Sequence, residues 1–240
     1  MKARIAVLAS GGGTNLQALL DYLDVLGEKR AGDVVVVASD RRDAGALRRA
    51  ADHDVRTALV QTPGSRDGAE PLEAILQDHE IDVVALAGYL RLVPADIVAQ
   101  YRGRIVNVHP ALLPAFGGPG MYGIRVHQAV LASGAMVTGV TVHFVDQAYD
   151  RGPIIAQWPV PVMVGDTAAS LAARVLRVEH TLYPIAVDTV AARRVTLDPA
   201  GSVHWRVDPG DASAADDWAF CLSAAASSRL AADIARLMRS

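Results

Sequence analysis

Two polar side chains, Asn107 and His109, interrupt an apolar stretch of the chain that has the composition of a strand. Residues two apart in a strand point to the same face, so both side chains are expected to project from one face, with Val106 and Val108 on the other. Pro110 would end the strand, because proline lacks the N–H of a sheet hydrogen bond. An amide donor beside an imidazole can hold a carbonyl oxygen and move a proton. The alternative is that both side chains are buried and form their hydrogen bonds with the backbone.

A carboxylate follows a second strand-like segment, in which His143 alternates with Thr141. Asp150, presented by the next turn, would hold a neighbouring imidazole in its charged form or relay protons through water, and the alternative is an Asx turn. His143 is expected to support the site or to lie in the core. A zinc site made of His109, His127 and His143 is disfavoured, because their separations match no compact ligand motif and no thiolate supports them. The sequence therefore predicts no metal.

A glycine-rich loop, residues 10–15, joins the first expected strand to the first expected helix. Backbone amides and the positive end of a helix converge at such a junction, where an anion can bind. The loop lacks the lysine of a P-loop, and Leu16 stands where a dinucleotide-binding fingerprint has its third glycine, although Asp40 partly imitates the ribose-binding acid. Two interpretations stay open, a phosphate cradle and a tight turn without a ligand.

The composition limits the classes of function. With 240 residues, of which 51% are hydrophobic, the chain can bury a large core. A net charge of −3 gives no electrostatic reason to expect a nucleic-acid or anionic-membrane partner. The single cysteine, Cys221, cannot form an internal disulfide, and the sequence shows neither a signal-peptide pattern nor an apolar run of membrane-spanning length. A soluble cytoplasmic protein without a membrane or nucleic-acid partner is therefore expected.

The elements that must position these residues alternate along the chain, with short apolar strands separated by stretches of helical period. This alternation predicts the α/β class, a Rossmann-like, mostly parallel sheet with helices on both faces. Asp43 is predicted to cap the second helix. Strands are predicted near residues 4–9, 34–39, 57–60, 82–88, 104–109, 136–145 and 153–162. Helices are predicted near residues 16–26, 43–53, 70–80, 95–101, 124–133 and 167–192.

The end of the chain differs in composition from the rest. Residues 195–205 place Asp-Pro-Ala-Gly between two short apolar runs, which predicts a hairpin. An alanine-rich segment near 222–238 looks like a packing helix. We therefore predict a domain over residues 1–198 and a C-terminal hairpin and helical extension, residues 199–240, packed on or beside it.

Six motifs follow one another in the chain, in residues 10–17, 87–91, 107–114, 139–145, 150–155 and 179–184. In order and spacing over residues 3–198 they resemble the phosphoribosylglycinamide formyltransferase family, which has the formyltransferase fold. The sequence Asn-Val-His-Pro-Ala-Leu-Leu-Pro with a downstream Asp is typical of all transferases that use 10-formyltetrahydrofolate, and the glycine loop narrows the resemblance to this family.

The resemblance implies transfer of the formyl group of 10-formyltetrahydrofolate to the amine of glycinamide ribonucleotide, in de novo purine synthesis. It implies that Asn107 donates to the developing oxyanion, that protonated His109 stabilises it, and that Asp150 fixes that charge state. The residues implied to bind the ribonucleotide are Gly12, Gly13, Thr14, Asn15, Pro110 and Glu179. Those implied for the folate are Arg66, Tyr89, Leu90, Arg91, Leu92, Val93, Asn107, Val145, Asp146, Gln147 and Asp150.

The loop between Pro114 and His127 is longer than the commoner family version, so the resemblance leaves the contacts of residues 115–126 open. Two other functions also stay open. The first is a formyltransferase acting on another amine, such as an amino sugar nucleotide. The second is a nucleotide-binding module that has lost catalysis, against which the intact catalytic residues argue. A monomer or a homodimer is expected.

Overall fold

The computed structural model describes residues 1–62 and 68–206. Its helices are α1 Thr14–Leu26, α2 Gly45–Asp52, α3 Leu72–Asp78, α4 Ala95–Gln100, α5 Ile124–Ser133 and α6 Ala168–Ala191, with a short 3₁₀ turn at Gly27–Lys29. Its strands are β1 Ala3–Leu8, β2 Gly32–Ser39, β3 Arg56–Leu59, β4 Val83–Leu86, β5 Ile105–His109, β6 Val137–Phe144, β7 Ile154–Pro161, β8 Val195–Leu197 and β9 Val203–Trp205. Each element predicted between residues 1 and 206 is therefore present, with ends that differ by a few positions.

Over residues 1–62 and 68–206, the main sheet has seven strands in the order β3-β2-β1-β4-β5-β6-β7. Strands β1 to β5 pair in parallel, whereas β6 and β7 are antiparallel to their neighbours. The chain runs outward from β1 to one edge, β3, and then returns to start again at β4, on the other side of β1. A crevice forms where the strand order reverses, at the carboxyl ends of the central strands, and open α/β sheets bind ligands there.

Alternate residues of the central strands enter two separate hydrophobic cores, one on each face of the sheet. Ile5 and Val7 of β1 lie in the first core, and Ala6 and Leu8 lie in the second. Helices α1, α2, α5 and α6 contribute to the first core, and α3 and α4 to the second. Near-continuous apolar strands are typical of a parallel sheet covered on both faces. The predicted fold class is thereby confirmed.

Strand β5 has the alternation that its sequence predicts. Val106 and Val108 lie in the first core, so Asn107 and His109 project from the opposite face. Their direct partners on β6 are His143 and Thr141 respectively, which place two more polar side chains on the same face. The expected pair at the mouth of the strand is therefore part of a four-residue polar patch spanning two strands.

The predicted cap of the second helix is wrong. Helix α2 begins at Gly45, its N-cap residue is Ala44, and no side chain caps it. Instead, the amide of Ala46 donates a hydrogen bond of 3.1 Å to the carbonyl of Gly11. The carbonyl of Gly11 in the glycine loop supplies the acceptor that Asp43 was expected to supply, because a free helical N–H can donate to any well-placed oxygen.

The C-terminal hairpin is confirmed, since β8 and β9 pair in antiparallel fashion. The segment 222–238 and Cys221 lie outside the described residues, and the division of the chain at residue 198 stays a prediction. Within residues 1–62 and 68–206, no helix combines the length and the apolar character that crossing a membrane requires.

Candidate active site

The side chains singled out in the sequence meet in a cavity of about 650 Å³ at the carboxyl end of β5. Asn107, His109 and Asp150 line it, together with Asn15 from α1 and Glu179 from α6. Other residues of the predicted set line the same cavity, namely Tyr89, Leu90, Arg91, Leu92, Val93, Pro110, Val145 and Asp146. The fold therefore gathers the expected catalytic residues and most of the expected ligand-binding residues around one space.

The imidazole of His109 is held between a carbonyl and a carboxylate. Its Nε2 lies 2.8 Å from the carbonyl oxygen of Phe116, and a carbonyl only accepts, so Nε2 carries a hydrogen. Its Nδ1 lies 3.5 Å from Oδ2 of Asp150. His109 is almost fully buried. The only ring nitrogen left for proton exchange is therefore Nδ1, on the side of the carboxylate.

Both partners of His109 have unusual backbone conformations. Phe116 has φ +55° and Asp150 has φ +54°, in the left-handed region that non-glycine residues seldom occupy. Oδ2 of Asp150 also accepts a hydrogen bond of 2.9 Å from the amide of Gly118. Such conformations persist only where surrounding contacts fix them, and they concentrate at functional sites. The long loop, whose contacts the resemblance left open, thus supplies Phe116 and Gly118 to hold the His109–Asp150 pair.

Burial and the neighbouring carboxylate act on the charge state of His109 in opposite directions. Burial lowers the pKa of His109, and this outweighs the opposing effects of the Asp150 carboxylate and the Phe116 carbonyl. Burial raises the pKa of Asp150, but the neighbouring His143 and His109 bring it below its ordinary value. In the unliganded protein these directions favour an uncharged imidazole beside an ionised carboxylate, whereas the resemblance implies a protonated His109 when the oxyanion forms.

Asn107 is oriented by His143. Its Nδ2 lies 3.1 Å from Nε2 of His143, while Nδ1 of His143 lies 2.8 Å from the carbonyl oxygen of Phe144. Nδ1 must carry the hydrogen for that second contact, so Nε2 accepts from Asn107. One amide hydrogen of Asn107 is used in this way and the other remains for a ligand. His143 therefore has the supporting role that was expected of it.

Two residues that the sequence did not single out, Thr141 and Gln157, hold the segment after His109 in place. Oγ1 of Thr141 donates to the carbonyl of Ala111 at 2.7 Å and accepts from the amide of Leu113 at 3.0 Å. Nε2 of Gln157 donates to the carbonyl of Leu113 at 2.9 Å. The sequence indicated a place for Thr141 only through its spacing of two residues from His143, which puts both side chains on the same face of the strand.

The side of the cavity formed by residues 89–93 is held by a hydrogen-bond network that the sequence did not indicate. Oγ of Ser10 donates to Asp40 at 2.6 Å and accepts from the amide of Leu90 at 3.0 Å. Nε of Arg91 donates to the other carboxylate oxygen of Asp40 at 3.0 Å. Both oxygens of Asp40 are engaged, so this residue fixes the backbone of residues 89–91 and does not act as a free ribose-binding acid.

At the other end of the cavity, Asn15 and Glu179 form a buried pair. Nδ2 of Asn15 donates to Oε2 of Glu179 at 2.7 Å, which joins the start of α1 to the middle of α6. Burial raises the pKa of Glu179, and the amide of Asn15 opposes this only in part. Oδ1 of Asn15 is buried without a partner. An unpaired buried acceptor costs about 1–3 kcal/mol, so this end of the cavity is suited to a ligand that donates hydrogen bonds.

The remaining predicted residues within the described part of the chain do not line the cavity. Gly12 and Gly13 lie in the loop before α1, Gln147 is exposed, and Thr14 lines a separate pocket with Arg49 and His180. Nε of Arg49 donates to the carbonyl of Gly12 at 2.8 Å, which places a guanidinium beside the glycine loop. Arg66 lies outside the described residues. Within the described part of the chain, no cluster of three or more His, Cys, Asp or Glu side chains is arranged to hold a metal ion.

Gly13 is fixed by packing as well as by conformation. Its φ is +74°, and a Cβ built on it would lie 2.6 Å from Cα of Ala46. We predict that Gly13→Ala lowers the free energy of unfolding by about 2 kcal/mol or more, because a left-handed alanine is strained and α2 has to move. Urea unfolding measures this. The matched control is Gly12→Ala, whose Cβ meets nothing within 4 Å and which should unfold as the wild type does.

If Gly12→Ala and Gly13→Ala are equally destabilised, or equally unaffected, then α2 does not pack on Gly13 as described.

Comparison with known proteins agrees with this site. The sequence profile of the formyl transferase family, "Formyl transferase", matches residues 3–187. The chain is 40% identical over 215 residues to the chloroplastic phosphoribosylglycinamide formyltransferase of Vigna unguiculata, covering 86% of this chain and 64% of that protein. It is 38% identical over 199 residues to phosphoribosylglycinamide formyltransferase of Escherichia coli strain K12, covering 80% of this chain and 89% of that protein.

A solved structure gives the same result. Glycinamide ribonucleotide transformylase 1 from Symbiobacterium toebii superimposes with a TM-score of 0.75 at 40% identity, covering 86% of this chain and 95% of that one. The chain spans less than two thirds of the length of the Vigna protein, but nine tenths or so of the bacterial ones. The chain therefore belongs to the formyl transferase family, as a member of the phosphoribosylglycinamide formyltransferases.

Proposed function

We propose that this protein transfers the formyl group of 10-formyltetrahydrofolate to the amine of glycinamide ribonucleotide, giving formylglycinamide ribonucleotide and tetrahydrofolate. The observation that carries the proposal is the single cavity that joins Asn107, His109 and Asp150 to the Asn15–Glu179 pair. A reaction between two bound molecules requires such a continuous space, because the reacting atoms have to be brought within about 3–3.5 Å of each other.

Asn107 stabilises the negative charge that develops on the formyl oxygen when the amine attacks. A carbon–nitrogen bond forms between the amine and the formyl carbon, and the bond from that carbon to N10 of the folate breaks. The amide of Asn107 is already oriented by His143, so its free hydrogen needs no reorganisation to meet the oxyanion.

His109 and Asp150 move the proton that the amine must lose and that N10 must gain. The lowered pKa of His109 makes Nδ1 a free base before reaction, and a base has to be unprotonated to accept. Oδ2 of Asp150, 3.5 Å away, then stabilises the imidazolium until the proton is passed to N10. His109 thus begins and ends the cycle uncharged.

The ribonucleotide is proposed to lie along the start of α1. Asn15 and Glu179 face the cavity and would bind its neutral, hydrogen-bonding groups. The amides at the start of α1 would face the phosphate, since no side chain caps this helix and no acidic residue lies in its first turn. Arg49, anchored on the carbonyl of Gly12, adds a positive charge at this position.

The folate is proposed to occupy the side formed by residues 89–93 and 145–150. Leu90 and Leu92 are exposed apolar side chains there, and Tyr149 is a third. A second cavity of about 1030 Å³ lies beside this segment and shares Tyr89 and Tyr149 with the first. An exposed apolar strip between two cavities is suited to an aromatic ligand with a long tail.

The nearer rival is formyl transfer to another amine, such as an amino sugar nucleotide, since Asn107, His109 and Asp150 do not select the acceptor. Similarity to phosphoribosylglycinamide formyltransferases favours glycinamide ribonucleotide. The cytoplasm as the compartment, the absence of a nucleic-acid partner, and a monomeric or homodimeric state remain parts of the proposal.

The test is to mix the purified protein with 10-formyltetrahydrofolate and each amine in turn, and to follow the release of tetrahydrofolate. Release that depends on glycinamide ribonucleotide and saturates with it is the expected result. Release with an amino sugar nucleotide alone, or release that no amine stimulates, contradicts the proposed acceptor.

A further inference from the structure

His127 is a buried histidine in the cavity for which the mechanism has no task. It lies on α5, four per cent exposed, and it lines the same cavity as His109 and Glu179. Its Nδ1 is buried without a hydrogen-bond partner. Most buried polar atoms are paired, so an unpaired one in a side chain that lines a ligand cavity needs a reason.

His127 lies close to His109. His109 is near enough to disfavour a positive charge on His127. Burial lowers the pKa of His127 in the first place, so the imidazole is uncharged at neutral pH. A neutral imidazole both donates and accepts, through one nitrogen each, which suits an amide or an amine better than an anion.

Asn15 supports the same conclusion from the opposite side. Its Oδ1 is the other buried polar atom among the described cavity residues that has no partner. Two unpaired groups, one on α1 and one on α5, therefore belong to residues that line a common cavity. Each costs stability in the unliganded protein, and a ligand that pairs with both recovers this cost.

We propose that Nδ1 of His127 binds the glycinamide group of the ribonucleotide, and that this contact contributes to substrate affinity and to the position of the attacking amine. The inference rests on the proposed function and adds a residue to it. The glycinamide is the part of the substrate that must reach Asn107 and His109, and it carries both N–H donors and a carbonyl acceptor. It is thus the substrate group whose donors and acceptor match His127 in either tautomer.

Two substitutions separate binding from packing. His127→Leu keeps much of the volume and removes the polar atom, whereas His127→Asn keeps a hydrogen-bonding atom close to the position of Nδ1. We expect His127→Leu to raise KM for glycinamide ribonucleotide about tenfold, the effect of one lost hydrogen bond, and His127→Asn to recover part of the loss. KM for 10-formyltetrahydrofolate should change by less than about twofold. The control is Gln128→Leu, a polar-to-leucine change at an exposed position of the same helix.

The melting temperature of the unliganded variant is the second measurement. Removing an unpaired buried polar atom should leave the melting temperature of unliganded His127→Leu unchanged or higher. A lower melting temperature, with KM raised equally for both substrates, would assign His127 a structural role and overturn the inference. An unchanged KM for the ribonucleotide overturns it too.

Failure of the proposed function can be recognised separately. Calorimetric titration of glycinamide ribonucleotide into wild-type protein and His127→Leu measures affinity without formyl transfer. If the wild type binds the ribonucleotide but transfers nothing, the proposed activity fails and weaker binding by His127→Leu still supports the contact. If both proteins bind with equal affinity, the contact is absent.

Discussion

Replacing Asn107 with alanine is expected to lower the turnover number by about 10²–10³, the loss found when one preorganised oxyanion donor is removed. The amide of Asn107 faces the cavity and is oriented by His143, so its hydrogen bond strengthens as charge develops on the formyl oxygen. KM for both substrates should change much less, because the bond is weaker in the ground state. Steady-state kinetics with glycinamide ribonucleotide and 10-formyltetrahydrofolate measure both quantities.

The control for the Asn107 variant is binding of a folate analogue, which should be close to that of the wild type if the fold is intact. His143→Leu, which leaves Asn107 present but without its orienting partner, should lose less turnover than Asn107→Ala. A folded Asn107→Ala variant with near-normal turnover would remove Asn107 from the mechanism.

The second large effect concerns His109 and Asp150 as one proton-handling unit. His109→Ala and Asp150→Ala should each lower turnover by about 10²–10⁴, as expected for general acid–base groups. Nδ1 and Oδ2 lie 3.5 Å apart, so the double variant should lose far less than the product of the two single losses. Losses that multiply would show that the two residues act independently.

A pH profile tests the same unit in another way. The pKa of His109 is lowered by burial and raised in part by Asp150, so protonation of its imidazole gives kcat/KM an acid limb that lies below the separate limb of the substrate amine, whose own pKa is about 8. Asp150→Asn removes the charge that raises the pKa of His109, so the His109 limb should move to lower pH while the limb of the amine stays in place. Asparagine keeps an oxygen for the amide of Gly118. A His109 limb that stays in place, or moves to higher pH, would contradict the assignment.

Strand β5 and the direction of its polar side chains could be predicted from sequence, because the pattern that predicts them lies within a few residues. Asn107 and His109 stand two apart in an apolar run, and strand geometry alone places them on one face. Asp150 follows the neighbouring strand directly, so pairing of β5 with β6 brings it to the same end of the sheet. The two-residue spacing and the order of the strands were therefore sufficient to predict that Asn107, His109 and Asp150 lie together.

The supporting contacts could not be predicted, since each joins residues far apart in sequence. Ser10 meets Asp40 and the amide of Leu90 only after three strands have paired. Asp43 has the composition of a helix cap, but the carbonyl of Gly11 takes that place through tertiary packing. A side-chain cap stabilises a helix by only about 1 kcal/mol, so tertiary packing readily overrides it.

The substrate end of the site shows the same limit. Thr14 and Asn15 are adjacent in the chain, yet they face different pockets, because side chains next to each other on a helix diverge by about 100°. The motif implies that both residues bind the ribonucleotide, and it gives no sign that they line different pockets. His127 carried no motif signal at all, and only its burial and its unpaired nitrogen indicate a role.

The outer strand β7 limits how copies of this chain can associate. Among the described strands it lies at one edge of the sheet, and it contains Pro159 and Pro161, whose nitrogens have no hydrogen to offer a further strand. The opposite edge, β3, is only four residues long. Sheet extension from one molecule into the next is therefore blocked along β7 and poorly supported at β3. A homodimer of this protein is expected to form through helices or loops, and its sheet edges should resist fibrous aggregation at high concentration.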